Sequence, residues 1–510
     1  MKEIDHAHMK PNILVIITDQ QRQDHLGCYG NPVVRTPQLD QLAEQGIRFD
    51  RHYVNNPLCM PGRATLFTGM TPRAHTVRTN GINLPRCLPV LPEILKSNGY
   101  QTHLVGKLHL DSYESKVNGL RREIDNHHDF QTGREVWGFE TGEMSLYHGT
   151  HVKGAYQSWL SHKLNGNPSP WQNHLNNIGY GAEQCIYTEI TEELHHSSWI
   201  AERTIHFLKN RDKTRPFFLW CSFPDPHHPY CPPKKYADIY QPKTIPLPVR
   251  RIGELDDLSP HFRLAYEGTQ QFAGRALNMP SKMSDIQYRE VIALTYGMIT
   301  LIDVNVGRIL RALHDSTLED NTLVIFTSDH GDMMGDHWLC NKGPFHFEGL
   351  LKVPFIVRWP GTHKPGSIVS SLTSHLDFLL TILDIAEISY PEGNVPDPPE
   401  APFQRPPLVG KSMKPLLTGE ATKIHDAVLI ENDEDYIGSN LRTVITNRYK
   451  LTCYSGHDFG ELFDLQNDPH ELRNLWNVPE HENLKLEMKA RLLEKIIETD
   501  SPLPRRIGHA

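Results

Sequence analysis

The sequence predicts an α/β fold: a large, mostly parallel β-sheet sandwiched by helices, followed by a small C-terminal α+β subdomain. Three observations carry this expectation. Continuous apolar runs ending in polar residues recur along the chain, as in strands buried on both faces. Capped helical segments alternate with them. After a Pro-rich stretch the pattern changes to short strands and one helix.

Taken in order, "PNILVIITD" (11–19) reads as a first core strand. "TPQLDQLAEQG" (36–46) reads as a helix with Thr36 as N-cap, Pro37 at the first helical position and Gly46 as C-cap. "IRFDRHYV" (47–54) follows as a strand, and Pro61 opens the next helix. "LPEILKSNGYQTHLVGKLH" (91–109) repeats the helix–Gly–strand rhythm. "RPFFLWCSF" (215–223) and "NTLVIFTSD" (321–329) are two further core strands, the second preceded by a long helix over about 283–315. "VPFIVRWPG" (353–361) is a strand and "SHLDFLLTILDIA" (374–386) a helix. The expected organisation is a catalytic domain over 1–389, with insertions at about 111–200 and 230–285, a Pro-rich linker over 390–407, and a subdomain over 408–510. In that subdomain "DAVLIEN", "LRTVIT", "YKLTCY" and "ELFDL" are short antiparallel strands, backed by the helix "HENLKLEMKARLLEKIIE".

A chain of 510 residues, 38% hydrophobic and 22% charged, fits a soluble globular enzyme with a large core. Its net charge of -9 argues against bulk nucleic-acid binding, so any anion site must be a local cluster of cations. The apolar run Ile13–Ile17 is too short for an export signal, and no run of membrane length is expected. Eight scattered cysteines without C-x-x-C or zinc spacing then suggest reduced thiols and a cytoplasmic location.

In parallel sheets, function gathers at the carboxyl ends of strands. Asp19 and Gln20 end the first strand, and Asp329 and His330 end the strand near 322. Two carboxylates, an amide oxygen and an imidazole would bind a divalent cation. In "NNPLCMPGRATLFTG" (55–69), Pro61 puts Cys59 at a helix N-terminus, where free N–H groups favour an anion, and Arg63 lies one turn on along the same face. "GKLH" adds Lys107 and His109, "PDPHHP" adds His227, and "CNKGPFHFE" adds Lys342. Singly, each is more often a turn, cap or surface residue. Together they form an electrostatic trap for a tetrahedral oxyanion.

The C-x-P-x-R motif resembles the signature of the type I sulfatases of the alkaline phosphatase superfamily. The resemblance extends to "ILVIITDQQRQDHLGCYGN", "PHHP", "TSDHGDMMGDHWLCNKGPFHFEGLLKVPFIVRWPG", "GKSMKPLLTGE" and "ELFDLQNDPHELRNL". It implies a sulfuric ester hydrolase acting on sulfate monoesters, arylsulfatase-like and promiscuous toward phosphodiesters and phosphonate monoesters. It further implies that a maturation enzyme oxidises Cys59 to formylglycine, whose hydrate attacks sulfur and later expels sulfate by reforming the carbonyl. By the same resemblance, Asp19, Gln20, Asp329, His330 and residue 59 would hold the metal, and Asp329 could take the nucleophile's proton. Arg63 and Lys107 would hold the hydrate and oxyanion, His109 would assist sulfate elimination, and His227 and Lys342 would bind the ester. Asn80 is a further candidate for a substrate contact.

The chain departs from the family pattern. Many relatives have Asp-Asp at Asp19-Gln20 and Asp-Asn at Asp329-His330. Calcium is the expected ion, with manganese the alternative that His330 introduces. Gly62 stands where relatives often have Ser, Ala or Thr, and Met70 where many have Arg. Two other readings compete: a phosphonate monoester hydrolase or phosphodiesterase of the same superfamily, and a non-catalytic anion-binding protein on this scaffold. The Lys107–His109 pair favours the sulfatase. The leaving alcohol is not legible, and the basic tail "SPLPRRIGHA" leaves a homo-oligomer open.

Overall fold

Side-chain alternation along the first strand, β1 (Asn12–Thr18), sets the architecture. Leu14 and Ile16 enter one hydrophobic core, while Ile13, Val15 and Ile17 enter another on the opposite face. A strand apolar on both sides must be covered on both, which calls for helices above and below the sheet. The computed structural model describes residues 10–114, 119–175, 178–268, 280–360, 364–391, 408–434 and 439–500.

The strands that follow are β2 (Ile47–Phe49), β3 (His52–Tyr53), β4 (Gln101–Gly106), β5 (Thr141–Leu146), β6 (Lys153–Gly154), β7 (Phe217–Ser222), β8 (Thr322–Ser328), β9 (Phe355–Arg358), β10 (Ser367–Val369) and β11 (Thr373–Ser374). Eight of them join β1 in one nine-stranded sheet, in the order β10–β2–β9–β8–β1–β7–β4–β5–β6. β8, β1, β7, β4 and β5 pair in parallel, so their carboxyl ends open on one edge. β9 runs antiparallel to both β8 and β2, and β6 antiparallel to β5. The run 47–54, expected as one strand, is split: β2 joins the main sheet, while β3 pairs with β11. β5 and β6 lie inside the stretch read as an insertion and extend the sheet.

On one face lie the helices His196–Asn210 and Asp285–Asp315, and on the other Cys59–Thr68, Leu91–Ser97 and Leu376–Ile385. The helix Asp285–Asp315 corrects one expectation. By length and composition it could cross a membrane, yet 94% of its apolar window is buried in the protein, as suits a core helix. Helix Pro37–Gln45 forms where expected, but Thr36 does not cap it. The Thr36 hydroxyl accepts from Gly27 N–H and donates to Asp40, while Asp303 on the long helix accepts from the free N–H groups of Gln38 and Leu39.

The C-terminal sheet consists of β12 (Ala427–Glu434), β13 (Ser439–Thr446), β14 (Tyr449–Tyr454) and β15 (Gly460–Asp464), antiparallel throughout. One face packs against helix Glu482–Glu498, and the other against Tyr53, Val54, Leu351 and Val353 of the main body. Met413, Leu416 and Leu417, expected in the C-terminal unit, join the main core instead. The Pro-rich stretch lies, from 392 onward, outside the described residues. β12 also grips the segment before Cys59. Asn55 and Asn56 donate their side-chain amides to the carbonyls of Leu429 and Glu431 at 2.9 and 2.8 Å, and Glu431 N–H donates to Asn55 O at 2.9 Å.

Candidate active site

Four neighbouring strands deliver the site. β4 ends at Gly106-Lys107, β7 leads into the loop holding His227, β1 ends at Asp19-Gln20, and β8 at Asp329-His330. Two backbone features aim these side chains. Gln20 has φ +65°, and its N–H donates to Asp329 Oδ1 at 3.0 Å, turning Asp19 and Gln20 towards β8. Gly106 has φ +96°, and a β-carbon there would stand 1.9 Å from the Ser222 carbonyl, so only glycine lets Lys107 N–H reach that carbonyl at 3.1 Å.

The sequence-predicted groups converge. Ligand atoms of Asp19, Cys59, Asp329 and His330 all lie within 4.8 Å of one another, and all four residues are buried. Cys59 is the first residue of helix Cys59–Thr68 and is 2% exposed. Its Sγ lies 2.7 Å from Lys342 Nζ, 3.1 Å from His330 Nε2 and 3.7 Å from Asp19 Oδ1. Burial and Asp19 oppose ionisation of this thiol, but Lys107, Lys342 and His330 outweigh them, and its pKa is lowered. Burial pushes the Asp19 carboxyl up, and Lys107, His227, Lys342 and His148 more than reverse that, holding it well below the usual carboxylate range.

Arg63 is fully buried and spans the cluster from below. Its Nε donates to Asp329 Oδ2 at 2.8 Å and Nη2 to Asp19 Oδ2 at 3.3 Å, while Nη1 reaches Lys107 O at 3.1 Å and Ser222 Oγ at 3.0 Å. The guanidinium therefore orients the two carboxylates. Lys107 Nζ pairs with Asp19 Oδ2 and meets His148 Nε2 at 2.6 Å. Lys342 Nζ also contacts His227 Nε2 at 3.0 Å and His330 Nε2 at 3.1 Å. His227 is held by its Nδ1, 2.6 Å from the His228 carbonyl. His109 has φ +61°, stacks on Tyr113, and leaves a buried Nδ1 without a partner among the described residues. Asn80 Oδ1 accepts from Met60 N–H at 3.0 Å and caps the helix that begins at Cys59.

The Sulfatase family model matches residues 11–388. The chain belongs to the sulfatase family. A second model, N-sulphoglucosamine sulphohydrolase, C-terminal, matches residues 335–498 of this sulfatase. An arylsulfatase of Clostridium perfringens is 30% identical over 502 residues, covering 96% of this chain and 95% of that protein. An N-acetylglucosamine-6-O-sulfatase of Bacteroides thetaiotaomicron is 25% identical over 543 residues, covering 95% and 86%. Among solved structures, a phosphonate monoester hydrolase of Agrobacterium radiobacter superposes with a TM-score of 0.77 at 26% identity, covering 97% of this chain and all of that one.

Sulfatases generally use a divalent metal and a formylglycine, and this donor set fits such an ion. The His330 Nδ1–H donates to the Gly331 carbonyl at 2.8 Å, which leaves Nε2 with its lone pair towards the cluster. Gln20 directs Nε2 to Asp332 and to His228 Nδ1, leaving a buried Oε1 without a hydrogen-bond partner among the described residues. An amide oxygen beside two carboxylates and an imidazole is a divalent-cation set.

Sequence reasoning missed His148 and Asp225. His148 follows β5, in the stretch read as an insertion, and stacks on His227 with ring centres 3.7 Å apart. With Asp19 and His227 it forms a second potential ligand group. Asp225, in the quoted "PDPHHP", accepts from His196 Nε2 and Ser197 Oγ, both at 2.7 Å, and its carbonyl accepts from Asp19 N–H at 3.1 Å. It ties the His227 loop to β1. No spacing rule links either residue to the motif. Their shared strand edge does.

Proposed function

We propose that this sulfatase hydrolyses sulfate monoesters, arylsulfatase-like, through a formylglycine formed from Cys59, with a calcium ion, or manganese, held by Asp19, Gln20, Asp329, His330 and residue 59. The observation that carries the reading is the position of Cys59: first in a buried helix, inside the four-ligand cluster, with Lys342 at 2.7 Å. A structural thiol has no use for that company.

When bound, the metal polarises the ester and lowers the pKa of the nucleophile's hydroxyl. Formylglycine at position 59 supplies a nucleophile whose second hydroxyl can release sulfate. The protein's own groups do the rest. Lys107 and Lys342 flank residue 59 and give two cations to a tetrahedral oxyanion. Lys342, braced by His227, faces the leaving oxygen and offsets its developing charge. Asp329, fixed by Arg63, accepts the nucleophile's proton, and His109 takes the proton released on sulfate elimination. Arg63 holds both carboxylates in register. The eight unpaired cysteines support a reducing, cytoplasmic setting.

The test joins mass spectrometry of the 55–69 peptide, after co-expression with a formylglycine-generating enzyme, to kcat/KM for 4-nitrophenyl sulfate, bis(4-nitrophenyl) phosphate and a phenylphosphonate monoester. Formylglycine in the peptide and preference for the sulfate are expected. A peptide carrying only thiol in a fully active enzyme would sink the mechanism. Preference for phosphorus esters by orders of magnitude would establish the second reading, which the likeness to the Agrobacterium radiobacter phosphonate monoester hydrolase favours.

A further inference from the structure

Beyond the cationic groups, one neutral group stands at the wall of the catalytic chamber with nothing to bind. Tyr113 follows β4 and the Lys107–His109 pair. Its ring is fixed between His109 (centres 4.3 Å apart, 20° between planes) and Tyr147 (4.5 Å, 24°), with the edge of His148 at 6.2 Å. Such a stack leaves the ring no freedom to swing its hydroxyl elsewhere. That hydroxyl is buried and has no hydrogen-bond partner among the described residues. Burial of an unpaired hydroxyl costs stability, and buried phenols ordinarily find a partner. Tyr100 OH is also unpartnered, but Tyr100 belongs to the apolar core. The groups whose charges reach the Tyr113 hydroxyl are Glu123, Asp19, Arg63 and Cys59, which are catalytic groups and their support. Glu123 is already engaged by the N–H groups of His109 and Asp111 and by Asn126.

We propose that Tyr113 is a further substrate ligand of this site, its phenol O–H donating a hydrogen bond to a non-bridging oxygen of the tetrahedral ester seated beside residue 59. Burial, Glu123 and Asp19 hold its pKa well above the usual phenol value, so the group keeps its proton and serves as a donor. A neutral donor suits a sulfate ester, whose single negative charge is spread over three terminal oxygens: the lysines supply the countercharge and Tyr113 supplies direction. The proposal rests on the reading of the site as an ester-oxyanion hydrolase.

The experiment compares wild type, Tyr113→Phe and Tyr113→Leu, each with verified metal content and formylglycine occupancy. Phe keeps the stack and loses only the hydroxyl; Leu loses both. Binding of inorganic sulfate by calorimetry and kcat/KM for 4-nitrophenyl sulfate are measured beside the thermal midpoint. In Tyr113→Phe, sulfate affinity and kcat/KM are expected to fall by about 10- to 100-fold, the range for a lost hydrogen bond to a charged partner, with a ligand-free midpoint no lower than that of wild type. Tyr113→Leu should show the same loss and a lower midpoint. Full sulfate affinity and kcat/KM in Tyr113→Phe, with losses confined to Tyr113→Leu, would overturn the proposal and leave the sulfatase reading intact. A wild type that neither binds sulfate nor hydrolyses its esters would overturn both.

Discussion

Replacing Arg63 by Met should cripple the fold of the site before it affects chemistry. The guanidinium is the closest cation to Asp329, at 2.8 Å, and shares Asp19 with Lys107. All of these side chains have zero exposure, so neither carboxylate can turn to water. Removing one partner of a buried ion pair costs about 3–5 kcal/mol. Asp329 should bear nearly all of that, because Asp19 keeps Lys107. The contacts to Lys107 O and Ser222 Oγ add about 1 kcal/mol each. The expected loss is therefore about 5–7 kcal/mol, measured by urea unfolding in chelator. A divalent cation neutralises the same carboxylates, so saturating calcium should recover a larger increment in Arg63→Met than in wild type. A variant within 1 kcal/mol of wild type in chelator would refute the argument that Arg63 is the internal countercharge of the carboxylates.

Other outcomes are expected on the same grounds. His330→Asn exchanges an imidazole for a carbonyl oxygen, so the metal retained after dialysis against equal calcium and manganese should move towards calcium; an unchanged ratio would contradict His330 as a ligand. Asp225→Asn weakens the side-chain tie between the His227 loop and His196 and Ser197, and should lower kcat/KM about tenfold with the metal retained. Gly106→Ala places a β-carbon against the Ser222 carbonyl and should part β4 from β7, seen as a thermal midpoint many degrees lower. Buried Asp303 and Glu461 are raised to about 7 in the fold, chiefly by desolvation. Because the folded state binds their protons more tightly than the unfolded chain, stability should fall as pH rises from about 4 to about 7, by about 1.4 kcal/mol per pH unit per group. Asp303→Asn with Glu461→Gln should flatten that slope.

The strands over 11–19, 215–223 and 321–329 were legible because both of their faces are apolar, and the rule that chemistry gathers at strand ends then located Asp19, Lys107, His227 and Asp329 together. The split of 47–54 was not legible, since a turn between two short strands leaves the apolar pattern intact. β5 was hidden for a different reason: Thr141, Gly142 and Glu143 are polar or small, as suits its place near the sheet edge. His148, delivered by β5, was hidden with it. The Asn80 side-chain oxygen serves a backbone N–H twenty residues away, a contact that no local pattern records. Arg63 turns to the Asp19 and Asp329 carboxylates, which are invisible neighbours in a linear chain.

The grip of β12 on Asn55 and Asn56 imposes an order on biosynthesis. Position 59 sits near the start of the chain, yet the turn that presents it is latched by a strand translated some 370 residues later. Until Leu429 and Glu431 emerge, the segment around Cys59 lacks the hydrogen bonds that fix it in the fold. Any enzyme that rewrites this side chain works against the ribosome's clock, and a chain stalled before β12 should remain a substrate for it.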